Sequence, residues 1–251
     1  MNLRVDINAD LGEGAGHDKE LFELISSANI ATGFHAGDSD TMHAAIFAAK
    51  EHGVAVGAHP SFFDRGNFGR KELDVADQEV FDAVAYQLGI FQAIASALDV
   101  RPSHVKPHGA LYNMAVRNAK LADAIARAIE SVDRKLILFA PDKSELASAG
   151  EAHGLQIARE IFADRNYLND GWLVPRIRPD ALLRDPKEAA QRVLRMLREG
   201  KVRSVEGRDI DVRGETICVH SDTPGAVEFA RELRTQLEHE GVRISAPQSS
   251  L

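Results

Sequence analysis

From one end of the chain to the other, short apolar runs of strand character alternate with longer runs whose apolar residues recur at helical spacing. Most of the strand runs stop at an acidic residue or a histidine. Such alternation dictates parallel strands, because each strand must return to the same end of a sheet through a helical crossover. Strand character is read over 5–9, 28–34, 54–58, 104–106, 135–140, 155–162 and 216–222. Helical spacing is read over 17–26, 39–52, 77–98, 121–131, 143–153, 186–199 and 224–240. Gly53 and Gly154 follow helical runs as C-terminal signals, and Pro186 suits a first-turn position. The stretch 203–212 reads as one or two short strands. The segment 62–71 is a loop with more glycine and charge than a plain connection needs, and Asp164 to Pro179 is irregular.

Seven or eight such units in 251 residues predict an α/β fold, a (β/α) barrel of seven or eight parallel strands forming one domain over residues 1–251. An open doubly wound sheet is the competing arrangement. The polar residues favour the barrel. Asp10, His35, His59, His108, Glu160 and His220 each fall at or just past the C-terminal end of a different strand. A barrel gathers those ends around one mouth, whereas an open sheet spreads them along its edge.

The first strand sets a physical problem. Asp6, Asn8 and Asp10 share one strand face, while Val5, Ile7 and Ala9 share the other. Unpaired buried carboxylates are strongly disfavoured, so this row must meet water or be held by donors, a cation or a metal. Asp6, the deeper of the two acids, is expected to pair with Lys106. Asn8 is either a structural hydrogen-bonder or a substrate contact, and Asp10 is the acid placed for chemistry.

Composition narrows the function classes. The formal net charge of -8 argues against a general nucleic-acid binder, which needs a basic field. A single cysteine, Cys218, excludes an intrachain disulfide and fits a reducing compartment. No targeting pattern and no apolar stretch approaching membrane-spanning length are read, so the expectation is a cytoplasmic protein without membrane contact. Self-association is left open.

Four strand-end histidines with Asp6, Asp10 and Glu160 can form a metal site or an acid–base constellation. One such histidine alone is more often a hydrogen-bonded scaffold residue. A mixed Asp/His set suits Zn²⁺ or another first-row divalent metal, yet neither HExxH nor CxxC spacing is present. Lys106 and His108 share parity and can both face the mouth, where Lys106 serves either as an ion-pair partner or beside a developing oxyanion. Arg159 has the opposite parity to Glu160 and is expected to face the helices. Arg165 and Arg176 are candidate carboxylate or phosphate clamps, with solvated surface arginine as the plain alternative. The glycines of 12–16 match neither a dinucleotide fingerprint nor a Walker loop. His17, His43, His52, His104, His153 and His239 are read as surface or capping residues, and Cys218 as a small buried hydrophobe.

The segments Asp6-Ile-Asn-Ala-Asp-Leu-Gly-Glu-Gly, Ala28-Asn-Ile-Ala-Thr-Gly-Phe-His-Ala-Gly-Asp, Gly57-Ala-His-Pro-Ser, Val105-Lys-Pro-His-Gly-Ala-Leu-Tyr-Asn, Glu160-Ile-Phe-Ala-Asp-Arg-Asn-Tyr and Ile217-Cys-Val-His-Ser-Asp-Thr resemble, in order and over essentially the whole chain, the LamB/YcsF family. Its members are A subunits of prokaryotic 5-oxoprolinases. The resemblance implies ATP-dependent opening of the lactam ring of 5-oxo-L-proline to L-glutamate, carried out with B and C subunits. It also implies a barrel related to the glycoside hydrolase and deacetylase barrels, the deacetylases placing an Asp and two His around a divalent metal. Asp10, His35 and His59 best match that triad here. With this background Asp10, Lys106, His108 and His220 are the catalytic candidates, and Asn8, Glu13, His35, His59, Glu160 and Arg176 the substrate-binding ones. Thr32 and Ser221 stand where the family usually has cysteine and glycine. Two other readings stay open at this point: a stand-alone metal-dependent deacetylase or amidohydrolase, and a non-catalytic substrate-binding subunit.

Overall fold

The computed structural model describes residues 3–219 and 225–249. In chain order its elements are β1 (Arg4–Leu11), α1 (Asp18–Phe22), β2 (Ser27–Ala31), α2 (Ser39–Glu51), β3 (Ala55–His59), α3 (Asp77–Ala97), β4 (His104–Val105), α4 (Gly109–Ala115), α5 (Ala119–Asp133), β5 (Ile137–Ala140), α6 (Glu145–Ala152), β6 (Ile157–Phe162), α7 (Pro186–Glu199), β7 (Lys201–Arg203), β8 (Asp209–Asp211), β9 (Thr216–Val219), α8 (Ala226–His239) and β10 (Arg243–Ile244). A 3₁₀ turn at Arg65–Asn67 lies in the long loop after β3.

The strands β1-β2-β3-β4-β5-β6-β9 pair in parallel, and β1 pairs with β9 to close the ring. The barrel therefore has seven strands. An eighth parallel strand, β10, lies beside the start of β1, with Arg4 opposite Arg243, and stays outside the ring. The uncertain 203–212 region resolves into the antiparallel β7–β8 hairpin.

Local chemistry explains the ends of the helices. Asp38 caps α2 by accepting from Thr41 N at 2.9 Å while its own N–H donates to Thr41 Oγ1 at 2.7 Å. Asp185 caps α7, Pro186 occupies its first turn, and Gly200 ends it in the left-handed conformation. β4 is short because Pro107 lacks the N–H that would extend its ladder. The residues after Pro107 form α4, which periodicity alone did not reveal.

The apolar core lies outside the barrel wall, between strands and helices. Val5, Ile7, Ala9 and Leu11 of β1 belong to it, with Ile30, Ala58, Ile125, Ile129 and Leu233. Inside the barrel the main filling is polar, apart from a small group of Ile137, Phe139 and Ala158. Strand parity sorts the two: the outward residues of β1 are apolar and the inward ones are Asp6, Asn8 and Asp10.

One expectation needs correction. The 21-residue α3 is long and apolar enough by composition to cross a bilayer. Here it is a core helix: Val80, Val84, Leu88, Phe91 and Ala95 are buried on one face. Its amide-bearing Gln87 is buried on the same side.

Candidate active site

Every inward polar residue of the lower barrel finds a partner. Asp6 is fully buried and accepts hydrogen bonds from the hydroxyls of Ser26 at 2.6 Å, Ser27 at 2.8 Å and Thr216 at 2.6 Å. Burial nevertheless pushes its pKa up to about 6, against those hydroxyls. Asn8 donates to Glu160 Oε1 at 3.0 Å and Thr216 Oγ1 at 2.7 Å, and its oxygen accepts from Asn29 at 2.7 Å and Lys106 at 3.2 Å. With both amide hydrogens committed, Asn8 is a cross-strand connector.

The Lys106 ammonium does not pair with Asp6. It lies 3.0 Å from Asp10 Oδ1, 3.0 Å from Glu160 Oε1 and 3.1 Å from Cys218 Sγ. The physical reason is depth: Lys106 follows the end of β4, so its side chain reaches the upper layer, while Asp6 sits one layer below among hydroxyls. Burial opposes the charge on Lys106, but Asp10, Cys218 and Glu160 outweigh it and hold its pKa well above the ordinary lysine value. Glu160 also accepts from the Tyr112 hydroxyl at 2.6 Å. Cys218 is buried as expected, but among charged groups, and burial raises its thiol pKa despite Lys106. Arg159 faces outward, to Asp142 at 3.1 Å and Glu151 at 2.9 Å.

Above this layer, Glu13, His35, His59 and His108 offer one ligand atom each, all within 4.8 Å of one another. Backbone carbonyls fix two of the ring tautomers. His59 Nδ1 lies 2.6 Å from the Lys106 carbonyl oxygen, and His108 Nε2 lies 2.9 Å from that of Phe68. A carbonyl only accepts, so those nitrogens carry the protons. The remaining nitrogens, His59 Nε2 and His108 Nδ1, face each other at 3.0 Å. Glu13 Oε1 is 3.2 Å from His108 Nδ1 and 3.7 Å from His59 Nε2. Two lone pairs and a carboxylate repel at such distances unless a proton or a metal ion lies among them. Nitrogen and oxygen donors of this kind suit a first-row divalent cation, with the carbonyls orienting the rings from behind.

His35 Nε2 donates to Glu13 Oε1 at 2.8 Å, while its Nδ1 is buried without a hydrogen-bond partner. Burial pushes His35 down to about 4 against that hydrogen bond, so the ring is a neutral donor. For Glu13, burial acts upward, but the adjacent His108 and His35 rings prevail and bring it to about 2. His59 is raised: burial opposes its charge, and Asp10 followed by Glu13 overcomes this. Asp10 Oδ2 stands 3.4 Å from His59 Nε2, so Asp10 joins the ammonium layer to the imidazole layer. Of the resemblance-derived triad, His35 and His59 belong to the tight group with Glu13 and His108, and Asp10 borders it.

The loop after β3 roofs the histidines. Phe68 meets His35 and His108 edge-on, with centroids 5.6 and 5.4 Å away. Gly69 has φ +64, and a Cβ there would come within 2.3 Å of Ser61 Oγ and 2.9 Å of His35 Cβ, so only glycine fits under this turn. Arg176 is exposed on the connection after β6. Burial, and then Arg176, pushes the guanidinium of Arg165 down to about 10. His220 and Ser221 lie outside the described residues.

Sequence reading missed His104, Asn29, Thr216, Tyr112 and Gln87. His104 is an interior residue, not a surface one: it stacks on Phe139 at 4.2 Å and reaches Asn29 Oδ1 at 2.9 Å. Burial, with Lys106 and His59 next, lowers it to about 3. Its parity with Lys106 was the available signal.

The chain is similar to known proteins over nearly its whole length. The 5-oxoprolinase A subunit of Shouchella clausii is 47% identical over 247 residues, covering 96% of this chain and 98% of that relative. The crystal structure of a lactam utilization protein from Thermus thermophilus superposes with a TM-score of 0.92 at 44% identity, covering 98% of this chain and 100% of that one. A family 4 carbohydrate esterase from Streptomyces lividans, solved with acetate, shares the fold at a TM-score of 0.50 and 13% identity, over 98% of this chain and 93% of that one. Residues 5–251 match the LamB/YcsF family, and the chain belongs to it.

Proposed function

We propose that this chain is the A component of a cytoplasmic 5-oxoprolinase, acting with B and C subunits to open 5-oxo-L-proline to L-glutamate at the expense of ATP. The observation that carries the reading is the joining of Asp10, Lys106 and Glu160 to the Glu13, His35, His59 and His108 group at one barrel mouth. Full-length relatives with the matching name support it.

A lactam carbonyl is a poor electrophile. Phosphorylation of its oxygen by ATP, which leaves as ADP, turns the ring carbon into one that water can attack. The C–N bond then breaks as the nitrogen takes up a proton, and a second water hydrolyses the resulting acyl phosphate to glutamate and inorganic phosphate. The glycine stretch 12–16 lacks a Walker pattern, so ATP is read as binding by another mode or partly through the partner subunits. In the hydrolytic step Asp10 accepts a proton from water, and His59, held beside it, returns one to the ring nitrogen. Lys106 places positive charge where the oxyanion develops. His108 orients His59, Glu160 and Asn8 hold Lys106, Arg176 faces the substrate carboxylate, and His220 is a second proton carrier.

Glu13, His35, His59 and His108 would hold a divalent metal bordered by Asp10, in which case His59 is a ligand and Asp10 carries both proton transfers. When bound, such a metal supplies Lewis-acid activation of water.

The test is glutamate release from 5-oxo-L-proline and ATP by the chain alone and by the chain with B and C subunits. ATP-dependent glutamate only from the complete set supports the assignment. Turnover of acetylated sugars by the chain alone, without nucleotide, supports a deacetylase instead.

A further inference from the structure

We infer that Gln87 and Thr32 form a positioning clamp that sets the spacing of the mouth histidines, although neither touches the reacting groups. This rests on the reading of the mouth as a hydrolytic site. Gln87 is a fully buried amide on α3, on the same face as Val80, Val84, Leu88 and Phe91. A polar side chain among such neighbours is costly unless every atom is satisfied. Gln87 meets that demand with the strand ends of the mouth. Its Oε1 accepts from Ser61 N–H at 2.9 Å and from the Thr32 hydroxyl at 2.7 Å. Its Nε2 donates to the Ser61 carbonyl at 2.9 Å and, within its own helix, to Ala83 at 2.9 Å.

Both backbone groups of Ser61 are thus held by one amide, much as a neighbouring strand would hold them. The turn His59-Pro60-Ser61 cannot shift along the barrel axis without breaking this pair. Thr32 Oγ1 also lies 3.2 Å from the His59 carbonyl, linking the ends of β2 and β3. The Pro60 carbonyl in turn accepts from His108 N–H at 2.8 Å. Gln87 therefore ties together the segments carrying His35 and His59, and the Pro60–His108 main-chain bond joins to them the segment carrying His108. The β2–β3 ladder stops below this level, its last paired residues being Ala31 and His59. The clamp begins where the sheet ends.

The test compares Thr32→Val, Thr32→Ser and Gln87→Met with Val84→Ala, an apolar truncation on the same helix face. Two readouts are taken: kcat and KM in the assembly with B and C subunits, and zinc affinity of the chain alone. Orienting groups behind metal-binding histidines typically contribute about 10- to 100-fold. Thr32→Val and Gln87→Met are expected to lower kcat and zinc affinity in that range with KM little changed. Thr32→Ser should restore both, and Val84→Ala should leave both near wild type. If Gln87→Met fails to fold, Thr32→Val, which removes one hydroxyl, decides alone. Wild-type kcat and zinc affinity in folded Thr32→Val, or an equal loss in Val84→Ala, overturns the clamp. Wild-type protein that turns over without binding zinc contradicts only the metal reading, and kcat then decides. Wild-type protein that does neither removes the site and the clamp with it.

Discussion

His59 Nε2 and His108 Nδ1 stand 3.0 Å apart, while the other nitrogen of each ring donates to a backbone carbonyl. Glu13 completes a site with more electron pairs than donors. Zinc should therefore bind the isolated chain, and His108→Ala should weaken it by more than about 100-fold, since a direct ligand contributes at least as much as an orienting group. Isothermal titration checks this; equal affinity in the variant would show that the pair shares a proton instead.

Among the described residues, Lys106 is the one ammonium between Asp10 and Glu160. Lys106→Met leaves two buried carboxylates without their cation, and breaking such a pair costs about 3–5 kcal/mol. Urea unfolding at pH 7 should show a loss of that order, with turnover abolished. A variant as stable as wild type would mean that the carboxylates are neutralised otherwise.

Asp6 makes stability depend on pH. Its native pKa of about 6 lies above the ordinary 3.8, so the folded state binds more protons than the unfolded state between those values. Its contribution is fully present below pH 3.8 and is lost as pH rises through about 6. Asp6→Asn should therefore gain stability relative to wild type between pH 4.5 and 7, read from unfolding free energies at the two values. An unchanged difference would contradict the buried-acid account.

Two glycines should respond in opposite directions to alanine. A Cβ on Gly57 would fall 2.2 Å from the His104 ring, which is stacked on Phe139. Gly57→Ala should cost about 1–3 kcal/mol or more through overpacking. Gly89, exposed on α3, has nothing within 4 Å of an added Cβ, and Gly89→Ala should stabilise by about 0.5–1 kcal/mol. Thermal unfolding of the two variants checks both signs.

The barrel was legible because parity and strand-end position are local properties of sequence. Asp10, His35, His59, His108 and Glu160 needed only a closed sheet to bring them together. The partner of Lys106 was not legible, because which carboxylate an ammonium reaches depends on its height in the barrel, set by the short β4 and Pro107. Glu13 joins the histidines through the chain path after β1, which glycines leave undetermined in sequence. Gln87 gave no signal, since one amide in an amphipathic helix resembles a boundary residue until its partners are seen. His104 was assigned to the surface although its parity matched Lys106. β10 is a pair of residues whose pairing with β1 no periodicity can show.

Glutamate formation from 5-oxo-L-proline and ATP, with B and C subunits present, tests the central claim most directly when wild-type chain is compared with folded His59→Ala. The account predicts ATP-dependent glutamate with wild type and a loss of at least about 100-fold in His59→Ala, the scale of general acid–base catalysis. Full activity in folded His59→Ala, or no glutamate from the complete wild-type set, would contradict it.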